Sequence, residues 1–225
     1  MPERLAILYN RFHTGSVSYG QVVFKSAITD FEVAHNRFEG LTADAISIGS
    51  SYGGHHDGLL IHHNAFDGCS GSILVRVGAQ SVGQVLDVEF RDNLVLGADS
   101  GDRVLLELDS MDGGLTDGDA PLGEFYNNAL YDLQDCIDPE QTPDLTNYPG
   151  YWNYNAYPDD AARSSAENVA GLAPERWQGS ALLLGDHGVQ RTGAAGDRFY
   201  TVAPDSPLRS AGRDGAAIGG FVWSP

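Results

Sequence analysis

An asparagine recurs at positions 10, 36, 64, 93, 128 and 155, each time in a similar setting, and the clearest copies are LAILYNRF (5–12), FEVAHNRF (31–38) and LLIHHNAF (59–66). The spacings are 26, 28, 29, 35 and 27 residues. A unit of about 30 residues cannot enclose a core of its own, so a chain with such a period must bury the apolar face of each unit against its neighbours. Propeller blades are excluded, because four strands need about 40 or more residues per repeat.

The columns of the repeat give the local structure. Three positions before the asparagine stand Ile7, Val33, Ile61, Phe90, Phe125 and Trp152, and two positions after it stand Phe12, Phe38, Phe66, Val95, Leu130 and Tyr157. Both columns are apolar throughout and point inward. The intervening positions, four and two before the asparagine, hold Ala6, Glu32, Leu60, Glu89, Glu124 and Tyr151, and Leu8, Ala34, His62, Arg91, Tyr126 and Asn153. Alternation of this kind predicts a strand before each asparagine with a solvent face on these two columns.

A second apolar run follows most copies: QVVFKSA (21–27), DAISIGS (44–50), SILVRVGA (72–79) and RVLLELDS (103–110). Aligned, they give an inward column of Phe24, Ile46, Val75 and Leu106 beside an outward column of Lys25, Ser47, Arg76 and Glu107. Each turn of the chain therefore supplies at least two strands, and equivalent strands of successive turns lie parallel, about 4.8 Å apart. The asparagine falls at a corner where its amide can bond the same residue above and below.

Composition agrees. With 42% apolar residues in 225, 28 glycines, 10 prolines and no sustained 3.6-residue period, the chain is all-β with few, short helices. There are 31 acidic and 13 basic side chains, a formal net charge of −18, which argues against nucleic acid or an anionic membrane surface as partner. No run of 18 apolar residues is present, so no membrane insertion is expected, and no signal peptide precedes the first octet in this chain. Cys69 and Cys136 stand at different offsets from their asparagines, so two buried thiols are expected rather than a disulfide.

The ladder, together with the closing segment DRFYTVAPDSPLRSAGRDGAAIGGF (197–221), resembles the right-handed parallel β-helix family of pectate lyases, chondroitinase B and alginate lyases. The resemblance implies a single-stranded right-handed parallel β-helix over residues 1–157. Residues 158–225 would then be an edge strand and irregular C-terminal cap of the same domain, protecting the last turn. It also implies an extracellular or cell-surface protein that acts on a polysaccharide, foremost a lyase that cleaves a uronate polymer by β-elimination, with Ca2+ as the assisting ion. Oligomers through the unprotected N-terminal turn are compatible with this fold.

A β-elimination needs a base for the proton next to the uronate carboxylate and cations to neutralise that carboxylate. By resemblance, FKSAITDFEVAHNRFEG (24–40) supplies Lys25, the only lysine, as base, and GSILVRVGAQ (71–80) supplies Arg76 as carboxylate partner or acid. The arginine is expected one turn after the lysine, where Ser47 stands instead, so Lys25 and Arg76 would be about 9.6 Å apart across two turns. Arg76 has an alternative role as the ion-pair partner of Glu107.

A second face carries Glu89 and Glu124 as stacked neighbours, flanked by His62, Arg91 and Tyr126. Such a pair would share a proton or hold a divalent cation, and could serve a glycoside hydrolase. The duller alternative is compensation of Glu89 by Arg91. Tyr126, Tyr151 and Tyr154 could stack on sugar rings. His55, His56, His62 and His63 show no metal-ligand spacing, and the aspartates of LDSMDGGLTDGDAP (108–121) do not match the EF-hand loop, so no metal ligand set emerges. A non-catalytic carbohydrate-binding or structural module remains the alternative to an enzyme.

Overall fold

The computed structural model describes residues 5–13, 21–24, 29–50, 56–70, 73–79, 86–97, 104–110, 124–133, 135–137, 151–165, 179–194 and 199–220. The first turn of chain contributes β1 (Leu5–Leu8), β2 (Arg11–His13) and β3 (Val22–Phe24). The second contributes β4 (Thr29–Ala34), β5 (Arg37–Glu39) and β6 (Ile46–Ser50), and the third β7 (His56–His62), β8 (Ala65–Asp67) and β9 (Ile73–Ala79). The fourth holds β10 (Leu86–Arg91), β11 (Leu94–Leu96) and β12 (Val104–Ser110), and the fifth β13 (Glu124–Tyr126), β14 (Ala129–Tyr131) and β15 (Asp135–Ile137). The sixth ends the series with β16 (Tyr151–Asn153) and β17 (Ala156–Tyr157).

Strands three apart in sequence are hydrogen-bonded neighbours, which gives three long parallel sheets. The first sheet runs β1-β4-β7-β10-β13-β16, the second β2-β5-β8-β11-β14-β17, and the third β3-β6-β9-β12-β15. Connectivity of this kind is compatible with a solenoid. The only described α-helix, α1 (Asp160–Ser165), is six residues long. Among the described residues no helix is long and apolar enough to cross a membrane.

The asparagine column forms the predicted ladder. From Asn36 onward, each side-chain Oδ1 accepts from both the backbone N–H and the Nδ2 of the asparagine one turn earlier, as Asn64 does from Asn36 at 3.0 and 3.1 Å. From Asn36 onward, each Nδ2 also donates to a carbonyl of the preceding turn, Asn64 to Val33 at 2.8 Å and Asn93 to Ile61 at 3.0 Å. Asn36, Asn64, Asn93, Asn128 and Asn155 are all buried, and this continuous chain of bonds lets a polar amide sit in the wall of an apolar core. The residue before each asparagine, Tyr9, His35, His63, Asp92, Asn127 or Tyr154, has a positive φ between 53 and 59°. This left-handed residue turns the chain from the first sheet into the second.

Both apolar columns face the core. Phe12, Phe38 and Phe66 stack face to face at 4.9 Å per step, and Phe90, Phe125 and Trp152 continue on the facing wall. Trp152 donates its indole N–H to the Tyr157 hydroxyl at 2.7 Å, so even the polar edge of this core is satisfied. Cys69 is buried, with its Sγ 3.3 Å from the Phe38 carbonyl oxygen.

The third sheet differs from the alignment in its first turn. Val22, and not Phe24, pairs with Ile46, and Ile46, Val75 and Leu106 then follow in register. Val22 and Phe24 lie on the same face of a strand, so apolar alternation cannot separate two registers that differ by two residues. Val23 therefore stands in the column of Ser47, Arg76 and Glu107, and Lys25 lies outside the described residues.

After α1 the chain adds β18 (Leu182–Leu183) as a parallel edge strand on β17. It then runs back along the flank of the second sheet, a course that a cap over the last turn does not require. The antiparallel pair β19 (Gln190–Thr192) and β20 (Phe199–Thr201) reaches as far as the second and third turns. There the Tyr200 hydroxyl lies 3.2 Å from Glu39 and 3.0 Å from Asp67, and the Arg191 Nε donates to Asp67 at 3.1 Å. Val189, Tyr200, Val202, Leu208 and Ile218 bury a second apolar cluster against Leu94, Leu96, Ala129, Tyr131 and Ala156. The closing motif has a physical role: Ser206 caps a 3-10 turn at Pro207–Arg209 that plants Leu208 in this cluster, and Ile218 N–H bonds the Leu208 carbonyl.

The columns expected to face solvent on the first sheet are partly covered. Ala34, His62 and Asn153 are buried. Ser180 N–H donates to Asn153 Oδ1 at 2.7 Å, and Gly219 N–H donates to the Asn127 carbonyl, so the C-terminal segment closes the corner beside these residues.

Candidate functional site

The outer face of the first sheet and its adjoining corner bring the chemistry-bearing side chains together. His62 ends β7, and His35 and His63 precede their asparagines in successive turns, so the left-handed corner aims both of the latter beside His62. A carboxylate can only accept, so His62 Nε2 donates to Glu32 Oε1 at 2.7 Å. Its other nitrogen, Nδ1, lies 2.8 Å from His63 Nδ1, a distance that requires one proton between the two. Burial lowers the His63 pKa to about 4, opposed by Asp92 and reinforced by His62 and His35. Burial and the charge of His62 also pull His35 below its ordinary value. Both rings are thus neutral at neutral pH, with nitrogen lone pairs to offer.

Toward the C-terminal turns, Glu89 and Glu124 are register partners in β10 and β13, as the sequence spacing requires. Their carboxylates go different ways. Glu89 Oε1 accepts from Arg91 Nε and from the Tyr126 hydroxyl, both at 2.6 Å, whereas Glu124 accepts from Arg213 at 3.1 Å. Each acid has its own cation, which removes the repulsion that a proton-sharing or ion-bridged pair would need. Burial, then the hydrogen bond to Glu89 and its charge, hold the Tyr126 phenol well above its ordinary pKa, so it remains a donor. Arg91 also donates to Asp92 at 2.6 Å, and Asp92 accepts from Asn127.

Arg213 comes from the C-terminal segment. Its guanidinium lies 5.1 Å from the Tyr126 ring centroid and 5.2 Å from that of Tyr151, and its side chain is 42% exposed. Its own backbone N–H is anchored on Asn127 Oδ1 at 2.7 Å. The arrangement is a planar cation held by two aromatic rings at the edge of a sheet, which suits recognition of a carboxylate.

His62, Glu89, Arg91, Glu124 and Tyr126 therefore share one face, with His62 tied to Glu32 and the other four in a second, adjacent network. Arg76 sits in β9 between Ser47 and Glu107 in register, on the third sheet; its side chain and all of Lys25 lie outside the described residues, as do His55 and the acidic stretch 111–121. Tyr151 and Tyr154 are half-buried on the first sheet and its corner. Sequence reasoning missed Glu32, His35, Asp92 and Arg213. Equal offsets from the asparagine were the available signal for His35 and His63; nothing in the repeat marks Arg213.

No family model, curated protein or solved structure matches this chain.

Proposed function

We propose that this chain is a right-handed parallel β-helix that acts on a uronate-containing polysaccharide, bound along the outer face of the first sheet. The observation that carries the reading is Arg213, stacked on Tyr126 and Tyr151 and half exposed beside Glu124. A chain with a net charge of −18 repels polyanions unless a local cation is presented, and Arg213 is such a cation with rings beside it for the apolar faces of sugars. Six parallel strands stacked at about 4.8 Å give a face about 24 Å long, which matches several residues of an extended polymer.

Cleavage by β-elimination is the reaction that the family resemblance adds, with Lys25 as base, Arg76 as carboxylate partner and Ca2+ as the ion that screens the polyanion; Arg76 stands on the third sheet, a face other than that of Arg213, so binding and cleavage are tested by separate substitutions. The hydrolase reading for Glu89 and Glu124 has less support, because each carboxylate is held by its own arginine.

The test offers alginate, pectate and glycosaminoglycans, with and without Ca2+, and follows retardation in polysaccharide-containing gels and the ultraviolet absorbance of unsaturated product. Arg213→Ala should weaken retardation, and Lys25→Ala should abolish product. Retardation without product from any substrate reduces the protein to a glycan-binding module. Absence of both retardation and product with every substrate refutes the proposal.

A further inference from the structure

We propose that His35, His62 and His63 form a binding site for a transition-metal dication of the zinc class. Their ligand nitrogens all lie within 4.8 Å of one another. Three imidazoles with an open fourth position are an established donor set for Zn2+, whereas Ca2+ takes oxygen ligands. Nitrogens bound tetrahedrally at about 2.1 Å stand about 3.4 Å apart. The observed spacing brackets that value: the 2.8 Å contact between His62 and His63 has to open by about half an ångström, and His35 has to swing in, both within the reach of side-chain rotation.

Three features single out this cluster. The first is the outer partner: Glu32 accepts a hydrogen bond from His62 Nε2–H, which fixes the tautomer that leaves the Nδ1 lone pair facing His63, the carboxylate–histidine–metal arrangement of ordinary zinc sites. The second is the close approach of two Nδ1 atoms, where an ion can replace the proton that otherwise must lie between them. The third is the rigidity of the frame. His35 and His63 occupy equivalent left-handed positions one turn apart, and the asparagine ladder holds the backbone from which both rings project.

One side of the site is closed by the C-terminal segment. A Cβ added at Gly220 would stand 3.2 Å from His63 Cα and 3.3 Å from its Cδ2, so the backbone there lies directly against the ring. His35 and His63 are half-buried, which leaves an approach from solvent for the ion and for a water on the fourth position. The site is independent of the polysaccharide reading.

The experiment strips the full chain with a chelator and titrates it with Zn2+ against a chromophoric zinc indicator; Co2+ then serves as the spectroscopic probe. Wild type should bind one equivalent and give the intense visible bands of tetrahedral nitrogen-ligated Co2+. His35→Asn and His63→Asn, chosen because asparagine tolerates positive φ, should each lower affinity by 100-fold or more with unchanged thermal melting of the zinc-free protein. Glu32→Gln, which tests a positioning residue, should lower it about 10–100-fold and keep the stoichiometry. Binding that survives in the double variant His35→Asn/His63→Asn places the ion elsewhere and overturns the proposal, as does failure of the wild type to take zinc from the indicator.

Discussion

Asn64→Ala is expected to be among the most damaging single changes to the stacked parallel sheets, because the ladder carries two burdens at that position. The amide accepts from the Asn36 backbone N–H and Nδ2 and donates to the Val33 carbonyl and to Asn93 Oδ1. After truncation, Asn36 Nδ2 still has the Ile7 carbonyl and Asn93 Oδ1 still has the Asn64 backbone N–H. The Asn36 N–H and the Val33 carbonyl lose the bonds that Asn64 gave them, and both residues are fully buried. At about 1–3 kcal/mol for the buried N–H left unsatisfied and about 0.5–1.5 kcal/mol for the carbonyl, which keeps its place in the strand ladder, the loss is about 1.5–4.5 kcal/mol. Asn10 is the internal control. It is exposed, its Nδ2 donates to Leu8 and Asn36, and Asn36 Oδ1 keeps the Asn10 backbone N–H after truncation, so Asn10→Ala should cost about 0.5 kcal/mol. Urea unfolding followed by far-ultraviolet circular dichroism compares the two. Hydrogen exchange at Asn36 and its neighbours shows whether the opening is local to these turns, as a quasi-one-dimensional fold allows. Equal midpoints for Asn64→Ala and Asn10→Ala would refute the view that the ladder satisfies the buried corner.

Tyr200→Phe removes the hydroxyl between the buried carboxylates of Glu39 and Asp67, and should destabilise docking of the C-terminal segment by about 1.5–3 kcal/mol, read as faster proteolysis within residues 179–220. His187 Nδ1 accepts from the Val189 N–H at 2.8 Å, and burial, then Arg191, lowers its pKa. A lowered histidine pKa means that the unfolded state binds more protons in the window below 6.5, so stability rises with pH there and is lost on acidification. Protection of the 189–202 amides should accordingly fall as pH drops through that window, and His187→Asn should flatten the dependence. Gly220→Ala places a Cβ 2.2 Å from the Asp92 carbonyl oxygen at a φ of +65°, and should release the end of the segment from the corner by more than about 1 kcal/mol, visible as new exchange at Asn127 and Gly219.

The long parallel sheets were legible because their interactions repeat. Each asparagine meets another asparagine, and each inward residue such as Phe38 meets its equivalent Phe66, so one period written along the chain encodes contacts between all turns. The limit of that code shows at Val22 and Phe24, where two residues of the same face and character permit two registers. The course of the C-terminal segment was not legible from the period, because Tyr200, Arg191 and Leu208 match a surface only once. A signal for it was nevertheless present: β11, β14 and β17 carry Leu94, Leu96, Ala129, Tyr131 and Ala156 on the side opposite to Val95, Leu130 and Tyr157. A strand apolar on both faces needs cover on both.

The site was legible to the extent that it lies within strands. His62, Glu89, Arg91, Glu124 and Tyr126 fall on one face because strand alternation puts them there, and Glu89 and Glu124 are register partners although 35 residues separate them. Alternation has no entry for the residue that leaves the strand. His35 and His63 directly precede the asparagines, and a β conformation there would send their side chains away from the column of Ala34 and His62. The positive φ at both positions rotates them back toward it, and His63 Nδ1 consequently meets His62 Nδ1 although the two residues are adjacent in sequence. Histidine tolerates the left-handed region better than most residues, so the same preference that lets the chain turn its corner concentrates imidazoles along it. An offset read as a turn position is thereby also a position that can carry chemistry, and the asparagine that follows supplies the rigidity such chemistry needs.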